Sequence, residues 1–197
     1  MKNLVILSCL AAVVFLNAHQ SYSQSIRIGL KGGISSVNQK FVSDDITYKP
    51  NGKVRPHLGS FVNIKANDQF GFQPELLFTV QGYGRNNVSF PEEGINFIYL
   101  TVPLMAKYYF GPLVNVHGGP QFGYMIGGDS INGVSVKEDA NKAEVAFAFG
   151  IECYLTEKLG LSARYVAGLT NVYNGVGAEY LTVKNRSLQF SLLLALN

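Results

Sequence analysis

Large apolar residues occupy every second position through most of the chain, and beyond the first residues they show no sustained helical spacing at three and four. Leu188, Phe190, Leu192, Leu194 and Leu196 alternate with Ser187, Gln189, Ser191, Leu193 and Ala195. Val145, Phe147, Phe149 and Ile151 alternate with Glu144, Ala146, Ala148, Gly150 and Glu152, and Phe70, Phe72, Leu76, Phe78 and Val80 with Gly71, Gln73, Glu75, Thr79 and Gln81. Period two belongs to a strand whose two faces meet different surroundings. The pattern predicts eight strands, over residues 25–34, 56–66, 69–83, 95–110, 114–127, 143–155, 159–170 and 187–197.

The connections alternate in kind. NDQ around Asn67, GPL at Gly111 and TEK at Thr156 are tight turns, while SSVNQKFVSDDITYKPNGKVR, GRNNVSFPEEG, GDSINGVSVKEDANK and NVYNGVGAEYLTVKN are long and polar. Short turns at one end and long loops at the other are the pattern of an outer-membrane barrel. In a soluble barrel the large apolar face would have to pack inside eight strands, an interior too narrow for those volumes. Turned outward into lipid, the same face needs no packing. The fold expected is all-β, an eight-stranded antiparallel transmembrane up-and-down β-barrel, with both ends of the barrel chain on the periplasmic side.

The N-terminus fits that destination. Lys2 precedes an apolar run from Leu4 to Leu16, and small residues follow at Ser21 and Ser23, which predicts a secretory signal peptide over residues 1–23 and a barrel domain over 24–197. The apolar run is too short for a spanning helix. Cys9 sits inside it, so Cys153 is left as the one cysteine of the barrel domain and no intrachain disulfide is expected. A formal net charge of +3 in 197 residues gives no reason to expect nucleic acid as a partner.

The segment INFIYLTVPLMAKYYFGP, residues 95–112, is greasy yet holds Pro103 and Lys107. As a barrel strand it turns Ile98, Leu100, Val102, Leu104, Ala106 and Tyr108 to lipid and Tyr99, Thr101, Met105 and Lys107 to the lumen, where a cation can meet a carboxylate. Phe97, Tyr99, Tyr83, Tyr124 and Tyr165 fall toward the outer ends of their strands, and Tyr108, Tyr109, Phe110, Phe70, Phe72 and Tyr154 toward the inner ends, as in two interfacial girdles. Proline lacks the ladder amide, so Pro74, Pro103 and Pro120 predict a bulge or a gap in the hydrogen bonding across the third to fifth strands.

Inward positions collect Arg27, Lys31, Glu75, Lys107, Glu144, Glu152 and Arg164, with Gln73, Gln81, His117, Gln121 and Gln189 between them. Such a set is either the lining of a narrow ion path or a polar network that plugs the lumen. Eight strands enclose an interior filled by side chains, which favours the plug. A lipid-modifying enzyme would rest on His57 and Ser60, with Asp44 and Asp45 in the preceding loop, but a strict strand points residues three apart to opposite faces. His57 otherwise reads as an interfacial histidine at a loop boundary. His117 has no partner at metal-ligand spacing, and GGISS and GGDS lack the lysine and helix of a phosphate loop. No metal and no cofactor are expected. Cys153 falls on the lipid side, and the loop segments FPEEG and VSVKEDANK are the exposed candidates for recognition.

Five stretches, SIRIGLKGGISSVN, FGFQPELLFTVQGYG, IYLTVPLMAKYYF, GGPQFGYMIGG and LSARYVAGLTNV, resemble the PorT-like outer-membrane β-barrel proteins of Bacteroidota. The resemblance spans the barrel domain and includes the prolines at Pro74 and Pro103. It implies a small barrel in the outer membrane of a Gram-negative cell and, for the family's namesake, a part in type IX secretion. The chain departs from many such barrels in ending with Asn197 where an aromatic residue is read by the assembly machinery, which implies a looser assembly signal or less efficient assembly. The expected function is a non-enzymatic envelope structural or accessory component, with a narrow pore or a lipid-modifying enzyme as alternatives. Its expected partners are outer-membrane lipid and other envelope or secretion proteins met through loops or periplasmic turns.

Overall fold

A computed structural model describes residues 25–43, 46–48, 52–83, 95–128, 130–131, 134–135, 141–172 and 182–197. The expected signal peptide, Asp44 and Asp45, and the FPEEG segment lie outside the described residues, as does most of VSVKEDANK. Eight long strands run through the chain: β1 (Ser25–Ser43), β2 (Lys53–Lys65), β3 (Phe70–Tyr83), β4 (Ile95–Tyr109), β5 (Val114–Gly128), β6 (Ala143–Tyr154), β7 (Leu159–Gly168) and β8 (Thr182–Ala195). Each pairs antiparallel with the next, and β8 pairs with β1 from Gly29↔Ala195 to Val42↔Thr182, so the sheet closes into a barrel. Closure leaves no long free edge.

The short turns are made by the residues that favour them. Asn67 Oδ1 accepts the backbone N–H groups of Gln69 and Phe70 at 2.9 and 2.7 Å, and Thr156 Oγ1 accepts those of Lys158 and Leu159 at 3.2 and 2.9 Å. Gly111 supplies the positive φ, 85°, that the third turn needs.

Faces alternate as expected: Phe70, Phe72, Leu76 and Phe78 are exposed, while Gln73, Glu75, Leu77 and Thr79 between them are buried. An exposed apolar surface continuous around eight strands is stable only against hydrocarbon. Cys153 is outward-facing and half-buried. Inside, the lumen is filled and only partly polar, because Phe61, Leu77, Met105, Met125 and Leu193 are each no more than 1% exposed. Gly29, paired with Phe61 across β1 and β2, makes room for that ring, which a Cβ on Gly29 would strike.

Three expectations are corrected. The first, second and last strands are longer than the sequence pattern suggests: β1 continues to Ser43, β2 starts at Lys53 and β8 starts at Thr182. Above the hydrocarbon both faces can be polar, so the alternation that marks a strand is lost while the backbone pairing continues. Ser130–Ile131 also pairs with Val134–Ser135 inside a stretch read as loop. Finally, Phe97, Tyr99, Tyr109 and Tyr154 belong to no girdle, since all four are buried in the lumen. The outward aromatics do lie as expected at the turn end, where Phe70, Tyr108 and Phe110 pack edge to face at 5.3 and 4.9 Å between ring centroids.

The prolines interrupt three successive ladders. Pairing of β2 with β3 skips from Phe61↔Glu75 to Ile64↔Phe72 around Pro74, and pairing of β3 with β4 skips from Pro74↔Leu104 to Leu77↔Thr101 around Pro103. The β4–β5 ladder skips from Pro103↔Gln121 to Ala106↔Gly118 around Pro120, and it carries a bulge between Ile98 and Tyr99. The expected gap is therefore present in each ladder.

Candidate functional site

The lumen holds most of the inward polar residues singled out in the sequence. Glu75 on β3 is the hub: Arg164 on β7 donates to its two oxygens from Nη1 and Nη2 at 2.8 and 2.6 Å, and Lys31 on β1 donates at 3.2 Å. Gln73 adds a third donor at 2.7 Å. A second carboxylate, Glu152 on β6, pairs with Lys107 on β4, which also donates to Gln73 Oε1 at 2.6 Å. Lys31 bridges the two halves, 3.9 Å from Glu152.

His117 on β5 completes the cluster. Arg164 Nε donates to His117 Nε2 at 3.0 Å, so that nitrogen is an acceptor and the ring is the neutral tautomer with its proton on Nδ1, 3.8 Å from Glu152 Oε1. Three cations thus face two carboxylates, all with side chains withdrawn from solvent. Such charges are held only because each has partners of opposite sign and further hydrogen bonds.

Two of the seven charged positions behave differently from expectation. Glu144 has no ion pair among the described residues; Gln81 and Asn185 each donate an amide to it at 2.8 Å, and Gln39 supports Asn185 at 2.9 Å. Arg27 is inward but half-buried at the turn end, where its guanidinium lies 5.4 Å over the Tyr154 ring. There the geometry is set by aromatic walls and not by a carboxylate. Gln121 and Gln189 are buried in the lumen as read.

His57 is neither at an interface nor at a loop boundary. It is 3% exposed inside the barrel, with Nδ1 2.8 Å from Ser35 Oγ and Nε2 2.8 Å from Ser191 Oγ. Gly33 is the register partner of both His57 and Ser191, so the imidazole spans β1 to reach β8, and a Cβ on Gly33 would strike the Phe190 carbonyl of β8. Ser60 points outward, so the His57 and Ser60 pair does not form. No cluster of metal-ligating residues occurs among the described residues.

Sequence reasoning missed Gln39, Asn63, Asn115 and Asn185. Asn63 accepts the Tyr109 hydroxyl at 2.8 Å at the turn-end mouth, and Asn115 is fully buried with neither amide atom hydrogen-bonded. Inward parity was the available signal for Asn63 and Asn115.

A model of the outer membrane protein beta-barrel domain matches residues 20–174. The chain belongs to this family. Its barrel therefore lies in the outer membrane of a Gram-negative cell, where barrels of this kind keep their short turns at the periplasmic end. Among solved structures it is similar to Neisserial surface protein A, at 10% identity with a TM-score of 0.53 over 88% of this chain and 99% of that one. It is also similar to Ail, the attachment invasion locus protein of Yersinia pestis, at 13% identity, TM-score 0.49, over 86% and 97% of the two chains. OprG from Pseudomonas aeruginosa aligns at 12% identity, TM-score 0.46, over 87% and 94%. No curated protein sequence matches significantly.

Proposed function

We propose that the protein is a non-enzymatic outer-membrane component, a closed scaffold that serves as an envelope structural or accessory subunit. The observation that carries this reading is the cross-lumen network: Lys31, Glu75, Lys107, Glu152 and Arg164 tie β1, β3, β4, β6 and β7 together through the centre of the barrel. An ion path needs water and room to move, and here each central charge is committed to fixed partners among packed side chains. A hydrolytic centre needs a nucleophile and base open to substrate, whereas His57 is enclosed between two buried serines.

The resemblance of the strands to PorT-like proteins supports a more specific role, that of an accessory to protein secretion, with partners met through the long loops or the periplasmic turns. The test is extraction from the native outer membrane in mild detergent, with native size measured and co-purifying chains identified by mass spectrometry. A reproducible large complex supports the accessory role and names the machine. A lone barrel in its micelle overturns it. Planar bilayers containing the purified protein are expected to stay electrically silent, and steady single-channel steps that change on Lys107→Ala would replace the scaffold reading with a pore.

A further inference from the structure

Just above the apolar band, the outward face of the closing seam is basic. Lys40 on β1 and Lys184 on β8 are direct register partners, and Asn38 is paired with Arg186 one step below. Like charges placed opposite each other on one face of a ladder repel and destabilise the pairing. No ion pair among the described residues involves Lys40, Lys184 or Arg186. Three cations with no ion pair among the described residues, on neighbouring outward positions, call for an anion.

Two of them, Lys40 and Arg186, line a groove of about 180 Å³ together with Ser36, Asn38 and Tyr165, with Leu188 at its lower lip, and Lys184 adjoins it as the register partner of Lys40. Below that lip the same wall carries a second groove of about 470 Å³, apolar, floored by Gly32 and Gly33 of β1 and Ala163 of β7 and walled by Ile34, Phe190 and Leu192. The small residues leave a channel between large neighbours at hydrocarbon depth. The two grooves follow each other along β7, β8 and β1, the polar one at the level of outer-leaflet headgroups and the apolar one at the level of their chains. A soluble anion would use the upper groove alone, and the continuity of the two selects a lipid.

We propose that this wall binds an anionic outer-leaflet lipid, its phosphate held by Lys40, Lys184 and Arg186 and an acyl chain laid in the groove over Gly32 and Ala163. Phosphate oxygens accept charge-assisted hydrogen bonds from ammonium and guanidinium groups, relieve the repulsion between the paired lysines, and receive further donors from Ser36 and Asn38. The site depends on the outer-membrane placement of the barrel and is independent of what the lumen or loops do.

The test is native mass spectrometry of the full barrel, refolded in a neutral detergent and titrated with a phosphorylated acylated glucosamine lipid, with the same lipid after removal of its phosphates, and with inorganic phosphate. The proteins are the wild type, the K40Q/K184Q/R186Q variant, Ala163→Phe to fill the apolar groove, and Lys65→Gln as a control at the opposite end. Each is first shown to migrate as a folded barrel on an unboiled gel, and Ala163→Phe keeps the site testable if the triple variant fails to fold. Expected is retention of one phosphorylated lipid by the wild type and Lys65→Gln, with affinity lower by about tenfold or more for the dephosphorylated lipid, for the triple variant and for Ala163→Phe. Equal binding of the dephosphorylated lipid, or unchanged binding in folded variants, overturns the proposal. Binding of inorganic phosphate as tight as that of the lipid would assign the cations to a soluble anion and overturn the lipid assignment.

Discussion

Arg164 reaches across the lumen from β7 and grips Glu75 on β3 with both terminal nitrogens, at 2.8 and 2.6 Å. The pair is a direct mechanical link between two walls that share no ladder. Arg164→Met takes two charge-assisted hydrogen bonds from Glu75 and leaves it Lys31 and Gln73, so it is expected to destabilise the folded barrel by about 2–3 kcal/mol. Adding Glu75→Leu strips Lys31 of its nearer carboxylate and leaves it 3.9 Å from Glu152, so the double substitution should be at least as damaging, whereas the triple substitution with Lys31→Met, which keeps only the Lys107–Glu152 pair, should recover part of the loss. Urea unfolding of the refolded protein in detergent or lipid checks all three; equal damage from the double and the triple substitution would show that packing, and not charge, is at stake.

His57 stitches β2 to β1 and β8 through Ser35 and Ser191. His57→Ala should cost about 2–3 kcal/mol, because it removes two hydrogen bonds and strands two buried hydroxyls. Ser60→Ala, on the outward face, should change stability by less than about 0.5 kcal/mol. Lipid composition measured by mass spectrometry should be the same for cells carrying either variant. A change in lipid chemistry specific to His57→Ala, in a barrel that still folds, would reopen the enzyme reading.

Asn115 is buried with both amide atoms lacking a partner, beside Glu152 in the register of β5 and β6. An unsatisfied polar group inside a barrel contributes nothing favourable, so Asn115→Leu is expected to be neutral or to stabilise by about 1 kcal/mol. Denaturant titration checks it. A loss above about 2 kcal/mol would mean that ordered water engages the amide more favourably than the lumen packs a leucine.

Hydrogen exchange should divide the wall. Amides near the interrupted pairings, at Val62, Gln73, Leu76, Met105 and Gly119, are expected to exchange faster than those of Ala163 and Phe190 in the continuous β7–β8 ladder. Uniform protection in a lipid bilayer would show that the ladders close there despite the prolines.

The barrel was legible because lipid and lumen impose opposite demands on alternate residues, and Phe70, Gln73, Leu76 and Lys107 obey them without exception. Parity alone placed Glu75, Lys107, Glu152 and Arg164 inside. Which charge meets which was not legible, since Glu75 and Arg164 are brought together by strand tilt and stagger, quantities that no single strand encodes. Gln39 and Asn185 were not legible because their strands continue past the apolar band, where the outward neighbours are polar as well and alternation no longer marks the inward face, although both are buried in the lumen beside Glu144. Tyr99 and Tyr109 show that parity outranks depth: both lie at strand ends, where a girdle is expected, and both point inward.

Pro74 on β3 and Pro120 on β5 flank the same residue, Leu104 of β4, the first as its register partner and the second across the skipped pairing, with Pro103 beside it. One side of the cylinder is thus a continuous hydrogen-bonded shell, and the other is scored at a single height. A tube built this way is mechanically anisotropic. Under the lateral pressure of a bilayer that thins or crowds, it would flatten toward an ellipse along the scored side first, with the central ion pairs acting as spokes that limit how far the section departs from a circle.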